Sequence, residues 1–237
     1  MVAVACGSGV GFIALLSRSL GVQKPETAEQ VAMHGLFLAA CSWIVFALIG
    51  LFCAEAFLSL FASDAEIMAM GVSYMQICTI CSIGVFAEIA YERIMQSTGN
   101  PIYNMIIQGV GALINIILDP ILIFGMFGLP QMGVSGAALA TVIGQISGAL
   151  IGFWLVYRLR RQLPIRLRGF RPRGEMLAEM GRVAAPAVVM QSLSSFMSLG
   201  LNQLLTRWSE SAVFVLGAYF KLQTFIFMPI FGISSGL

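Results

Sequence analysis

Apolar and polar positions in this chain come in blocks. Seven apolar segments, at about Val2–Ser17, Val31–Phe61, Ile67–Tyr91, Ile102–Phe127, Gly133–Tyr157, Met176–Leu205 and Ala212–Leu237, are separated by short polar breaks. A helix needs about 20 mostly apolar residues to cross a bilayer. The first segment is short, the second and sixth exceed the bilayer core, and the set predicts an all-α polytopic membrane bundle.

Composition points the same way. Of 237 residues, 59% are hydrophobic and 10% charged, and mean hydropathy is +0.91. Soluble domains carry about 25% charged residues. Too little polar surface is available to face water, so lipid is the expected solvent for most of the exterior.

The few charges are unevenly placed. Arg18 and Lys24 follow the first segment, Arg93 the third, and seven of the thirteen basic residues lie between Arg158 and Arg173. The connections 54–66 and 128–131 hold no basic residue, and Arg207 beside Trp208 is the lone basic residue on that face. Lys and Arg accumulate on the cytoplasmic side, so the polar stretch 158–175 is expected to be a cytoplasmic linker touching anionic headgroups. It divides the chain into helices over 1–157 and the beginning of a second group over 176–237. This orientation puts residue 1 outside the cytoplasm without a signal-peptide pattern. The chain therefore reads as an internal fragment of a longer transporter.

Soluble-type enzyme chemistry finds no support. There is no phosphate-binding loop after a strand and no HExxH, and one histidine cannot build a clustered metal site. A nucleic-acid role for the linker arginines does not fit an apolar chain. Cys78 and Cys81 share a helix face but sit in an apolar run, where small-residue packing is the expectation. Gly7/Gly11, and Gly144/Gly148 with Ala140 one turn earlier, are stripes that let helices approach closely.

The fourth segment is different, because it holds Asp119. It lies roughly 17 residues from the cytoplasmic end of its segment, which at about 1.5 Å per residue is the outer half of the bilayer. A charge at the centre of a spanning helix costs about 2.5–3.5 kcal/mol on insertion scales. Asn115 is one turn away on the same face, and Pro120 lacks the N–H that would engage the Ile116 carbonyl. Three hard oxygen ligands converge there, suited to Na⁺ or to a carboxyl that exchanges a proton. Glu88 is expected to snorkel toward the interface or pair with Arg93. Thr141 with Gln145, Gln191 with Ser195, and Lys221 are candidates to line a cavity. His34 is expected to be a packing residue.

The stretches GVGFIALLSRSLG with AEQVA, QSTGNPIYNMIIQGVGALINIILDPILIFGMFG, MGVSGAALATVIGQ and YFKLQTFIFMPIFGISSG resemble the MATE multidrug and toxic compound extrusion transporters, most nearly the bacterial multidrug-export branches. The resemblance spans essentially the whole chain. It implies twelve helices in two six-helix lobes about a central cavity, of which this chain would hold the second to eighth. It implies a monomer at full length that expels small, often cationic, drug-like compounds in exchange for Na⁺ or H⁺, with no other cofactor. The family's N-lobe cation site maps onto Asn115, Asp119 and Thr141. The first-helix aspartate of that site is not among these residues. Where some members carry a seventh-helix glutamate, this chain has Gln191, which argues against a coupling site in the second lobe.

Two rivals have distinct signatures. A flippase for a lipid-linked precursor would need several cavity cations to meet phosphate, and only Lys221 is on offer. A structural subunit would use Asp119 only to hold helices together.

Overall fold

The computed structural model describes residues 1–59, 65–128, 130–159, 172–206, 214–220, 222–223 and 227. Among them run seven helices: α1 (Val2–Gly21), α2 (Pro25–Leu58), α3 (Ala65–Ile80), α4 (Ile83–Ser97), α5 (Pro101–Phe124), α6 (Gly133–Arg158) and α7 (Gly174–Thr206). Five are long and apolar enough to cross a membrane, and α3 with α4 forms a sixth, bent span. Residues 214–220 are also helical, while most of the last expected segment and linker residues 160–171 lie outside the described residues.

The third apolar segment is the main departure from the expected pattern, because it is two helices bent by 43°. The cause is local. The Ser82 hydroxyl donates to the Thr79 carbonyl at 2.7 Å, and the Gly84 N–H bonds Cys81 at the tighter i−3 spacing, 3.3 Å. Hydroxyls that return bonds to the preceding turn compete with the helical ladder. The Ile80 carbonyl is then taken by the Trp43 indole N–H of α2 at 2.9 Å, so the break leaves that acceptor satisfied.

Elsewhere the ends follow simple rules. Proline opens α2 and α5, where its missing N–H has no intrahelical partner to lose. Gly125 closes α5 in the left-handed conformation (φ 70°), with its N–H on Ile121.

Buried residues concentrate where helices meet. Phe12, Leu16, Val31, Ile94, Met95, Ile107 and Met180 pack together near the ends of α1 and α4 and the starts of α2, α5 and α7. Those ends share one side of the bundle, the linker side, because α6 ends and α7 begins there. Many large apolar side chains, such as Phe52, Met105, Ile116 and Trp154, point outward instead. That is the inside-out economy of a lipid-facing surface.

The glycine stripe of α1 has an unexpected partner. A Cβ at Gly7 would meet Val188 and one at Gly11 would meet Met180 and Ala184, all on α7. The close packing therefore joins helices on either side of the linker.

Candidate functional site

The site grows out of the contact between α5 and α6, which run antiparallel. Successive levels pair Leu122 with Gly136, Asn115 with Thr141, Gly111 with Gly144, and Ile107 with Gly148. Small residues at 136, 140, 144, 148 and 152 of α6 recur every four positions, so they form one stripe. A Cβ on Gly144 would stand 2.8 Å from the Gly111 carbonyl, and one on Gly111 would stand 3.1 Å from that of Gly144. Two backbones this close leave polar side chains at the same interface little room to avoid each other.

Asp119, Asn115 and Thr141 occupy the level farther from the linker side, and all three are half-buried. The Asn115 Nδ2 donates to the Thr141 Oγ1 at 3.4 Å, and that hydroxyl donates onward to the Ala137 carbonyl at 2.9 Å. With its amide nitrogen toward Thr141, Asn115 keeps its carbonyl oxygen as an acceptor. Asp119 lies one turn along the same face of α5. Tyr74 of α3 is near enough to feel the Asp119 charge, and it hydrogen-bonds Cys78. Together with the Ile116 carbonyl, which Pro120 cannot engage, the level offers several oxygen acceptors. Such a set is matched to a hard cation or an exchanging proton. The structure thus brings Asn115 to Thr141, and adds Tyr74, which the sequence reading did not single out.

A second polar level lies nearer the linker side. Glu88 does not reach out to Arg93 as expected; Arg93 Nη1 instead donates to Gln96 Oε1 at 2.6 Å. The Glu88 side chain turns inward, where its Oε1 meets the bare faces of Gly148 and Gly111. Glu92, one turn on, is 4% exposed and hydrogen-bonds Gln108 of α5. One turn before Gln108, Asn104 is also buried, and its Oδ1 has no hydrogen-bond partner among the described residues. The reason for the difference is room. The carboxylate fits inside because two glycines from other helices vacate the space a Cβ would fill. The Glu88/Glu92 spacing, which puts two acids on one helix face, is the signal that could have found this level.

The other candidates scatter. Gln145 is half-buried one turn from Thr141 on α6, and Gln191 and Ser195 are exposed together on one face of α7. Lys221 lies outside the described residues. His34 is buried and hydrogen-bonded at the linker side.

Known proteins with this sequence and shape carry the reading further. The MatE family model matches residues 1–121. Multidrug export protein MepA of Staphylococcus aureus (strain MRSA252) is 27% identical over 231 residues, 97% of this chain and 50% of MepA. Its namesake in Staphylococcus saprophyticus is 29% identical over the same share of each. Two solved structures of a multidrug resistance MATE family transporter of the MOP superfamily also match. The inward-facing one has a TM-score of 0.84 at 25% identity, covering 98% of this chain and 52% of that one. The outward-facing one has a TM-score of 0.86 at 26% identity, covering 99% and 52%. The chain spans about half the length of the curated relatives it matches. With more than half its residues matched by the family model and its helices superposing on solved members, the chain is a multi-pass membrane protein that belongs to the MatE family.

Proposed function

We propose that the protein is a cation-coupled antiporter, exporting small organic, drug-like compounds across a bacterial cytoplasmic membrane in exchange for Na⁺ or H⁺. The observation that carries this reading is the oxygen-rich level at Asp119, Asn115 and Thr141, bridged across α5 and α6 by the Asn115–Thr141 hydrogen bond. The relatives' printed descriptions as multidrug export and multidrug resistance proteins supply the transported class. The basic stretch 158–175 is then the cytoplasmic connection between two lobes, in keeping with the accumulation of Lys and Arg on that side.

Coupling needs a ligand that binds two states unequally. A cation held by a carboxylate, an amide oxygen and a hydroxyl from two helices favours the packing in which those helices stand close. Losing it leaves a membrane carboxylate to be neutralised by a proton or hydrated, which favours another packing. Gln145, Gln191, Ser195 and Lys221 are assigned to the compound-binding cavity.

The test is transport in vesicles under imposed Na⁺ or pH gradients, with Asp119→Asn beside the wild type. Gradient-driven uptake that disappears in the variant supports the reading. Undiminished transport with the same Na⁺ and pH dependence would sink it.

A further inference from the structure

A histidine joins the two groups of helices. His34 of α2 is 1% exposed, and its ring is held at both nitrogens. The backbone N–H of Arg173 donates to Nε2 at 2.8 Å, and Nδ1 lies 2.7 Å from the Gln30 carbonyl. A backbone amide can only donate, so Nε2 carries no hydrogen. The ring is therefore the neutral tautomer with its proton on Nδ1, donated to Gln30. The Gln30 side chain adds a second hold, accepting from Arg173 Nη1 at 3.3 Å.

Arg173 is the threshold of α7, since its carbonyl receives the N–H of Leu177 at 3.2 Å. The same short stretch of α2 thus grips the start of the first helix beyond the linker by main chain and side chain. We propose that neutral His34 is a positioning residue for lobe movement, a latch that fixes the start of α7 to α2 and opens when Nε2 takes up a proton. The proton comes from water and adds to the Nε2 lone pair. No covalent bond breaks, and the Arg173 N–H is released to find another acceptor.

Two consequences of protonation act in the same direction. Nε2–H would face the Arg173 N–H, donor against donor, and a positive ring would stand beside a guanidinium. Among the described residues, the Arg173 guanidinium is held on Gln30, one turn before His34 on α2. Arg18 of α1, Lys24 ahead of α2 and Glu179 of α7 line an adjoining groove of about 310 Å³ together with Val31. Glu26 and Glu29 lie in the first turns of α2, and Glu175 opens α7.

The latch is read by hydrogen exchange of the Arg173 amide in the membrane-reconstituted protein, expressed as protection relative to an unstructured chain at each pH. Protection in the wild type should fall by about tenfold or more between pH 8 and pH 5, because a protonated Nε2 can no longer accept from the amide. His34→Gln places an amide oxygen where Nε2 stood and cannot titrate there, so its protection should stay flat across the same range. A wild type with pH-independent protection, or a His34→Gln variant that titrates like the wild type, overturns the proposal. The readout is local to Arg173, so it stands or falls separately from the role of Asp119 in transport.

Discussion

Asp119 and Glu88 are both acids held within the bundle, about 12 Å apart when measured along α5 from Asp119 to Gly111, which touches Glu88. The chain accommodates them differently. Asp119 has polar neighbours on its own helix, with Asn115 one turn back and Pro120 next to it, and Thr141 reaches Asn115 from across the interface. Glu88 depends on what is missing from its neighbours, namely the side chains of Gly111 and Gly148. Ligand atoms surround the first and vacated space surrounds the second. A carboxylate set among oxygen donors suits exchange of a cation, whereas one fitted into a glycine slot is fixed by shape.

The contrast can be tested in descending order of effect. Asp119→Asn should reduce gradient-driven transport by about 5–150-fold, the span of ordinary coupling free energies, while leaving the thermal midpoint nearly unchanged. If stability falls instead and coupling persists, Asp119 is structural and the contrast collapses. Gly148→Ala should act the other way round. Overfilling the slot costs about 1–3 kcal/mol of stability, read from denaturation in detergent. Repeating it in a Glu88→Ala background should recover most of that loss, because contacting residues are not additive. Equal losses in both backgrounds would mean that Glu88 does not fill the slot.

Smaller changes sharpen the picture. Thr141→Val keeps the shape but leaves the Asn115 amide without its acceptor, worth about 1 kcal/mol, or roughly fivefold in apparent cation affinity. Transport measured against Na⁺ and pH gradients checks it, and an unchanged dependence would separate Thr141 from the Asp119 level. Ser82→Ala removes only the hydroxyl at the bend between α3 and α4. Since Trp43 still holds the Ile80 carbonyl, the expected loss is below about 1 kcal/mol. A spin-label distance across the bend should move if the hydroxyl sets the angle.

What could be read from the chain alone followed the range of the physics involved. The spans over α1, α2, α5, α6 and α7 are legible because apolar length is a local property. Asn115 and Asp119 are legible because four-residue spacing is local too. The bend was not, since Thr79, Cys81 and Ser82 are small enough to pass within an apolar run while the Thr79 and Ser82 hydroxyls bond back to the preceding turn. Glu88 was misjudged because Arg93 is near in sequence, whereas the glycines that admit it stand on α5 and α6.

The packing of α1 on α7 through Gly7 and Gly11 has one more consequence. These helices are separated by the whole of α2 to α6 and by the basic stretch, yet they lie flank to flank. Severing the backbone anywhere between Arg158 and Arg173 would therefore not release α7. A protease cut there should yield two polypeptides that still migrate as one species, held by side-to-side fit.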